Sequence, residues 1–348
     1  MEPIALRANQ IHRFYRGGRA ITDFRGIPYE DDFAPEDWVG SATTVFGSNT
    51  LGLTTLPDGQ TLREAVAADP EGFLGAQHAE RFGAEPGFLV KLLDAGQRLP
   101  LHCHPSREFA RRHLNCPFGK TEAWVIAEVR TAEPFVHLGF RYDVDPATLA
   151  AWVSRQDTEA MLGATNRLPA AVGDSILVPA GIPHAIGEGV FLIELQEPTD
   201  LSVLLEWKGF DIDGARDGHL GLGFEAGLAC VDRSGWGASR LGRLRAARGG
   251  RQVEGVERLF PRDADPFFRA ERIHPRDAAT LPAEFSILVV TDGSGTLSWG
   301  QRGLGVGRGD TVLIPFGAGD CSLQGAVEAI RCLPPDPVAP DSSAPSFR

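Results

Sequence analysis

The sequence predicts a mostly β fold, two related β-barrels with an additional helical segment, and three observations carry that expectation. Short aliphatic and β-branched runs recur along the chain, separated by Gly, Pro and Asp turn signals, which is the pattern of many short strands in a barrel or sandwich. A turn–strand–turn unit occurs twice, because GDSILVPAGIPH (173–184) aligns without gaps on GDTVLIPFGAGD (309–320). Such a repeat suggests two copies of one barrel. The chain of 348 residues, 43% hydrophobic, also has ample apolar material for one large or two medium cores.

Taken in order, residues 1–60 supply N-terminal strands to the barrels. The stretch TLREAVAADPEGFLGAQHAERFG (61–83) has a helical pattern. The first barrel, 84–207, contains the strand runs FLVKLLDAG (88–96), AWVIAEV (123–129), FVHLGFRYDV (135–144), SILVPAG (175–181) and VFLIELQE (190–197). Within it DPATLAAWVSRQDTEAMLGA (145–164) predicts a helical insertion, with Asp145 or Pro146 as cap and first-turn residue. PSREFARRH predicts a short helical turn capped by Ser106. The second barrel, 208–335, contains SILVVTDGSG (286–295) and TVLIPFG (311–317). The segment 336–348, rich in Pro and Ser, is expected to be a disordered tail.

Composition excludes several function classes. The formal charge of -12 comes from 34 basic and 46 acidic residues without a Lys/Arg block, so the counterion release that drives nucleic-acid binding has no source. No apolar run reaches signal-peptide or membrane-spanning length, which gives the expectation of a cytoplasmic protein without a membrane partner. Five cysteines, an odd number without CxxC spacing, suggest neither a disulfide framework nor a thiolate zinc site.

The candidate chemistry begins at LHCHP (101–105). Alternation along a strand puts His102 and His104 on one side, as two ligands of one ion require. Two carboxylates compete for the next position. Glu108 lies in the helical turn, which aims it away from the ligand face, whereas Glu122 opens the next strand-like run and is preferred. Lys120, two residues earlier, shares the face of Glu122. His184 follows the stiff VPAGIP turn and completes a set of three imidazoles and one carboxylate; this donor set suits Zn, Fe, Co, Ni or Mn alike. The second copy of the repeat has Asp320 in place of His184 and no HxH upstream, so its barrel is expected to be metal-free. His12, His78, His113, His137, His219 and His274 show no comparable pattern and are expected to be structural or exposed.

The HxH, downstream Glu and late His resemble the cupin site. LVKLLDAGQRLPLHCHP, GKTEAW, VGDSILVPAGIPHAI and IELQEPTD together resemble the type I mannose-6-phosphate isomerase family over most of the chain. The resemblance implies two cupin-type (jelly-roll) barrels, zinc or another divalent transition metal on His102, His104, Glu122 and His184, and an active-site lysine at Lys120. Its implied activity is aldose–ketose isomerisation of a small-molecule sugar or sugar phosphate through an enediol. In such a site Lys120, or a carboxylate such as Glu194 or Asp200, is the candidate proton carrier; Glu194 and Gln196 alternate onto one face. Two positions depart from the family pattern. His102 replaces the usual Gln, and Leu204, four residues after Asp200, stands where the family has an arginine. An apolar residue cannot replace a guanidinium, so this departure bears on substrate choice. Two other readings of the cupin site are an Fe(II) oxygenase and a sugar-binding protein without catalysis.

Overall fold

A computed structural model describes residues 1–245 and 255–340. Two antiparallel sheets form the part of the fold that holds the candidate ligands. In one, the strand order is Gln10–Ile11, Glu36–Val39, Leu89–Asp94, Val190–Gln196, Glu122–Val129 and Ser175–Val178. In the other it is Val203–Leu204, His102–Cys103, His184–Ile186, Phe135–Phe140 and Thr165–Pro169. The sheets share an interior of Leu93, Trp124, Ile126, Val136, Leu138, Ile186 and Leu192. Apolar side chains from both sheets meet there, and their removal from water is the main force holding the pair together.

A third antiparallel sheet has eight strands, centred on the long pair Ser286–Trp299 and Cys321–Leu333, with its own core around Leu288, Leu297, Leu323 and Ala329. The repeat seen in the sequence is structural. Ser175–Val178 and Thr311–Ile314 are four-residue buried strands, each followed by proline, one in each sheet system. At the end of the second copy, Asp320 accepts a hydrogen bond from the Ala283 amide at 2.8 Å. Residues 4–11 tie the two systems together. Ile4–Ala5 pairs with Leu313 and Val312 in the eight-stranded sheet, and Gln10–Ile11 with Asp37 and Glu36 in the six-stranded one.

The helical stretch 61–83 is three short helices, Leu62–Ala68, Pro70–Leu74 and Ala76–Phe82. Thr61 and Glu64 form a capping box at the first, Pro70 starts the second and Gly75 separates it from the third. The insertion is likewise two helices, Pro146–Arg155 capped by Asp145 and Thr158–Ala164 capped by Asp157, with Gln156 left-handed between them. Ser106 caps Arg107–Leu114, its hydroxyl accepting from the Phe109 amide at 3.2 Å. Of the segment 336–348, residues 341–348 lie outside the described residues. Within the described part Arg81 donates to the Pro337 and Ala339 carbonyls at 2.6 and 2.7 Å.

Candidate metal centre and its cavity

Register brings the three histidines together. His102 faces His184 across one antiparallel pair, and Leu204 faces His102 across the other. The strand that begins at His102 ends at Cys103, so His104 lies just past it; its ring nevertheless comes within 4.9 Å of the rings of both His102 and His184. Each imidazole is fixed through Nδ1 by a backbone carbonyl, Pro100 for His102 (2.8 Å), Leu201 for His104 (2.8 Å) and Ile182 for His184 (2.7 Å). Those bonds leave the Nε2 atoms to converge, the arrangement in which an imidazole pinned on one nitrogen ligates through the other. One ligand atom from each lies within 4.8 Å of the others.

Glu122 enters from the facing sheet. Its Oε2 is 3.0 Å from His104 Nε2 and its Oε1 is 3.2 Å from His184 Nε2, while the Trp124 indole donates to Oε1 at 3.0 Å. Glu122 Oε2 and His184 Nε2 are buried and have no hydrogen-bond partner among the described residues. Buried lone pairs without a donor are costly unless a cation satisfies them. The protonation states agree with that fit. Burial, followed by Lys120, lowers His104 to about 3, and burial with the neighbouring His184 holds His102 well below its ordinary value. Burial opposes charge on Glu122, but His104, Lys120 and His184 outweigh it and hold the carboxyl well below the usual range. Neutral imidazoles and an ionised carboxylate are the forms a divalent transition metal takes.

Lys120 Nζ stands 3.0 Å from His104 Nε2 and 3.5 Å from Glu122 Oε2. The loop that carries it is held by Glu197, which accepts from the amides of Thr121 (2.9 Å) and Gly119 (3.3 Å) and from Arg107 Nε (2.5 Å). The competing carboxylate, Glu108, is on the surface in a 2.8 Å pair with Arg112. Gln196 does not share the cavity with Glu194; its amide donates to the carbonyls of Thr199 and Glu197.

Beside the ligands lies a cavity of about 50 Å³ whose lining includes Arg13, Lys91, Lys120, Glu36, Glu122, Glu194, Asp200, Ser202 and Leu204. Lys91 bridges Glu36 (3.2 Å) and Glu194 (3.3 Å), and Arg13 donates to both oxygens of Asp200 (3.1 and 3.2 Å). Burial raises the pKa of Glu194, and the negative charge of Glu122 adds to it. Lys91 and Arg13 move the other way from what burial alone dictates, since Glu36 and Glu194 hold the proton on Lys91, and Asp200 and Glu36 hold it on Arg13. Lys91, Glu36 and Arg13 were not singled out by the sequence patterns above. A visible signal existed for two of them: Lys91 is a charge inside the apolar run FLVKLLD, and Glu36 precedes the buried Trp38 in PEDWVG.

No protein-family model matches the chain. Among curated proteins it is similar to the mannose-6-phosphate isomerase of Bacillus subtilis, 26% identical over 332 residues that cover 90% of this chain and 93% of the relative. It is also 26% identical over 221 residues to the mannose-6-phosphate isomerase of Streptococcus mutans, covering 62% of this chain and 63% of that one. The chain is thus similar to mannose-6-phosphate isomerases over most of its length. The fold agrees. The crystal structure of mannose 6-phosphate isomerase from Bacillus subtilis superposes with a TM-score of 0.76 at 22% identity, covering 95% of this chain and 99% of the other. A mannose 6-phosphate isomerase bound with zinc and yttrium gives 0.72 at 16% identity, covering 97% and 100%. Neither the oxygenase nor the non-catalytic reading is favoured by these relatives. Among the described residues no helix is long and apolar enough to cross a membrane.

Proposed function

We propose that this chain is a metal-dependent aldose–ketose isomerase that interconverts mannose 6-phosphate and fructose 6-phosphate, with His102, His104, His184 and Glu122 as ligands of zinc or a similar divalent ion. The observation that carries the reading is the convergence of three backbone-pinned imidazoles, with one unpartnered oxygen of Glu122 beside them, at a cavity lined by charged side chains. The relatives are named for this reaction, and one solved neighbour binds zinc. A sugar phosphate as substrate puts the enzyme's work in the cytoplasm.

The reaction moves a proton between neighbouring carbons of the sugar through an enediol. A divalent ion on this ligand set supplies Lewis-acid stabilisation of the oxygen that gains charge. A cavity of about 50 Å³ has room for only a few waters, so it admits the reacting end of a sugar and leaves the rest outside. Glu194 is our candidate for the group that carries the proton. Its raised pKa brings it closer to the operating range of a general base, and it lines the cavity with Lys91 3.3 Å away. Asp200 spends both oxygens on Arg13 and accepts from the Phe46 amide as well (3.2 Å), which suits it to holding another side chain. Lys120, beside the ligands, places an ammonium group where an oxyanion develops.

The test is isomerisation of mannose 6-phosphate by metal-reconstituted protein, with metal content measured in parallel. Turnover that falls by about 10²–10⁴ in Glu194→Gln with the metal retained supports the assignment; unchanged turnover removes Glu194 from it. Absence of turnover in the unsubstituted protein rejects the reading as a whole.

A further inference from the structure

Arg13 supplies a guanidinium to the cavity from a part of the chain remote from the ligand segments, two residues past the strand Gln10–Ile11. Its side chain is 13% exposed. The two terminal nitrogens are committed to Asp200, while Nε lies 3.3 Å from Glu36 Oε1 without forming a hydrogen bond. An arginine has five N–H donors in a fixed fork, so this one is clamped in orientation with donors left over. The strand Val203–Leu204, whose Leu204 faces His102, brings only Leu204 to the cavity, and Ser202 lies just before it. No other guanidinium lines the cavity among the described residues.

Charge adds a second argument. The lining has three cations (Arg13, Lys91, Lys120) and four carboxylates (Glu36, Glu122, Glu194, Asp200). A divalent ion on the histidines makes this five positive charges against four negative, and without Arg13 the two sides are equal. Arg13 is thus one of the three side-chain cations on which the surplus favouring an oxygen with developing negative charge depends.

We propose that Arg13 binds the sugar directly, using its uncommitted donors on oxygens of the reacting end while Asp200 fixes the plane of the guanidinium. This rests on the isomerase reading and assigns to it a substrate-binding residue. It also makes a prediction about placement. Leu204 faces the same cavity, so a guanidinium delivered from position 204 serves in place of one delivered from position 13.

The experiment compares the unsubstituted protein with Arg13→Lys, Arg13→Ala and Arg13→Ala/Leu204→Arg. For each, metal content, the Kd of mannose 6-phosphate by calorimetry and kcat/KM are measured. Arg13→Lys keeps the charge next to Asp200 and loses the fork, and a loss of about 100-fold in kcat/KM with weaker binding and full metal content is expected. Arg13→Ala falls further and is partly restored by added guanidinium ion; the double variant regains at least about tenfold over Arg13→Ala. Kd and kcat/KM of Arg13→Lys within about twofold of the unsubstituted protein overturn the proposal and leave Arg13 as a tether for Asp200, with the isomerase reading intact. An unsubstituted protein that neither binds nor converts mannose 6-phosphate overturns both. If Arg13→Ala does not fold, the lysine variant alone decides.

Discussion

Lys91 stands directly opposite Glu194 across the strands Leu89–Asp94 and Val190–Gln196, and the two close a 3.3 Å ion pair on the cavity wall. Glu36, 3.2 Å away on the other side, completes a buried triad. A lysine this deep is tolerated because two carboxylates face it, and each is tolerated because of the lysine.

Removing the centre of that triad exposes its cost. Lys91→Met leaves Glu36 and Glu194 buried without their cation and is expected to lower unfolding free energy by about 3–5 kcal/mol. Glu194→Gln leaves Lys91 its pair with Glu36 and costs less. Urea unfolding of both variants at neutral pH measures the difference, and equal stabilities would mean that the triad is not coupled.

The metal assignment predicts a graded response. His104→Ala removes a ligand outright and is expected to abolish turnover and bring metal content well below one ion per chain. His102→Gln exchanges an imidazole for a weaker amide oxygen, so one ion is retained at lower affinity. Metal analysis after dialysis against a chelator separates the two. Full occupancy in His104→Ala would show that the ion lies elsewhere.

The loop 119–121 sets the position of Lys120. A Cβ at Gly119 would lie 2.6 Å from the Arg107 amide nitrogen and 2.7 Å from the Pro105 carbonyl oxygen, and neither atom is at the end of a flexible side chain. Gly119→Ala is expected to cost about 1–3 kcal/mol and to lower kcat with metal content unchanged. A melting curve and a rate measurement on the same preparation check both halves.

His137 gives a pH dependence of stability. It donates or accepts at Nδ1 with the Thr165 hydroxyl at 2.7 Å, and burial followed by the charge of Arg98 lowers it to about 4. The ordinary value is about 6.5, so between these values the unfolded chain binds the extra proton. Stability is therefore fully present above pH 6.5 and is lost as pH falls towards 4, by about 3 kcal/mol in all. Unfolding titrations of the chain and of His137→Gln test this, the variant being expected to show a flatter slope across that window.

Much of this was legible in the sequence, for physical reasons. Strand alternation, the repeated GD-strand-P unit and Asp145 or Ser106 before a helical pattern are local features, written within a few residues of where they act. The histidine set was legible because HxH and PAGIPH are short motifs with fixed local paths. Arg13 was not, and Glu36 was marked only by its place before Trp38, because their roles depend on a register that joins residue 13 to residue 200 and residue 36 to residue 91. The helical stretch 61–83 shows the reverse error. Its apolar periodicity runs on through Pro70 and Gly75, but the backbone does not.

The pairing of Ile4–Ala5 with Val312–Leu313 has a consequence for how the molecule comes into being. During synthesis the first strand emerges long before its partner in the eight-stranded sheet, and the segment between Ala5 and Gln10 leads to the residue that faces Asp200. Contacts so distant along the chain are slow to close because the loop entropy is lost before they form. All strands of the ligand-bearing sheets, residues 10–204, are synthesised before the neighbour of the first strand, which begins at Thr311. A nascent chain halted before Thr311 thus carries the histidine cluster with its first strand as an unpaired edge, open to pairing with other chains.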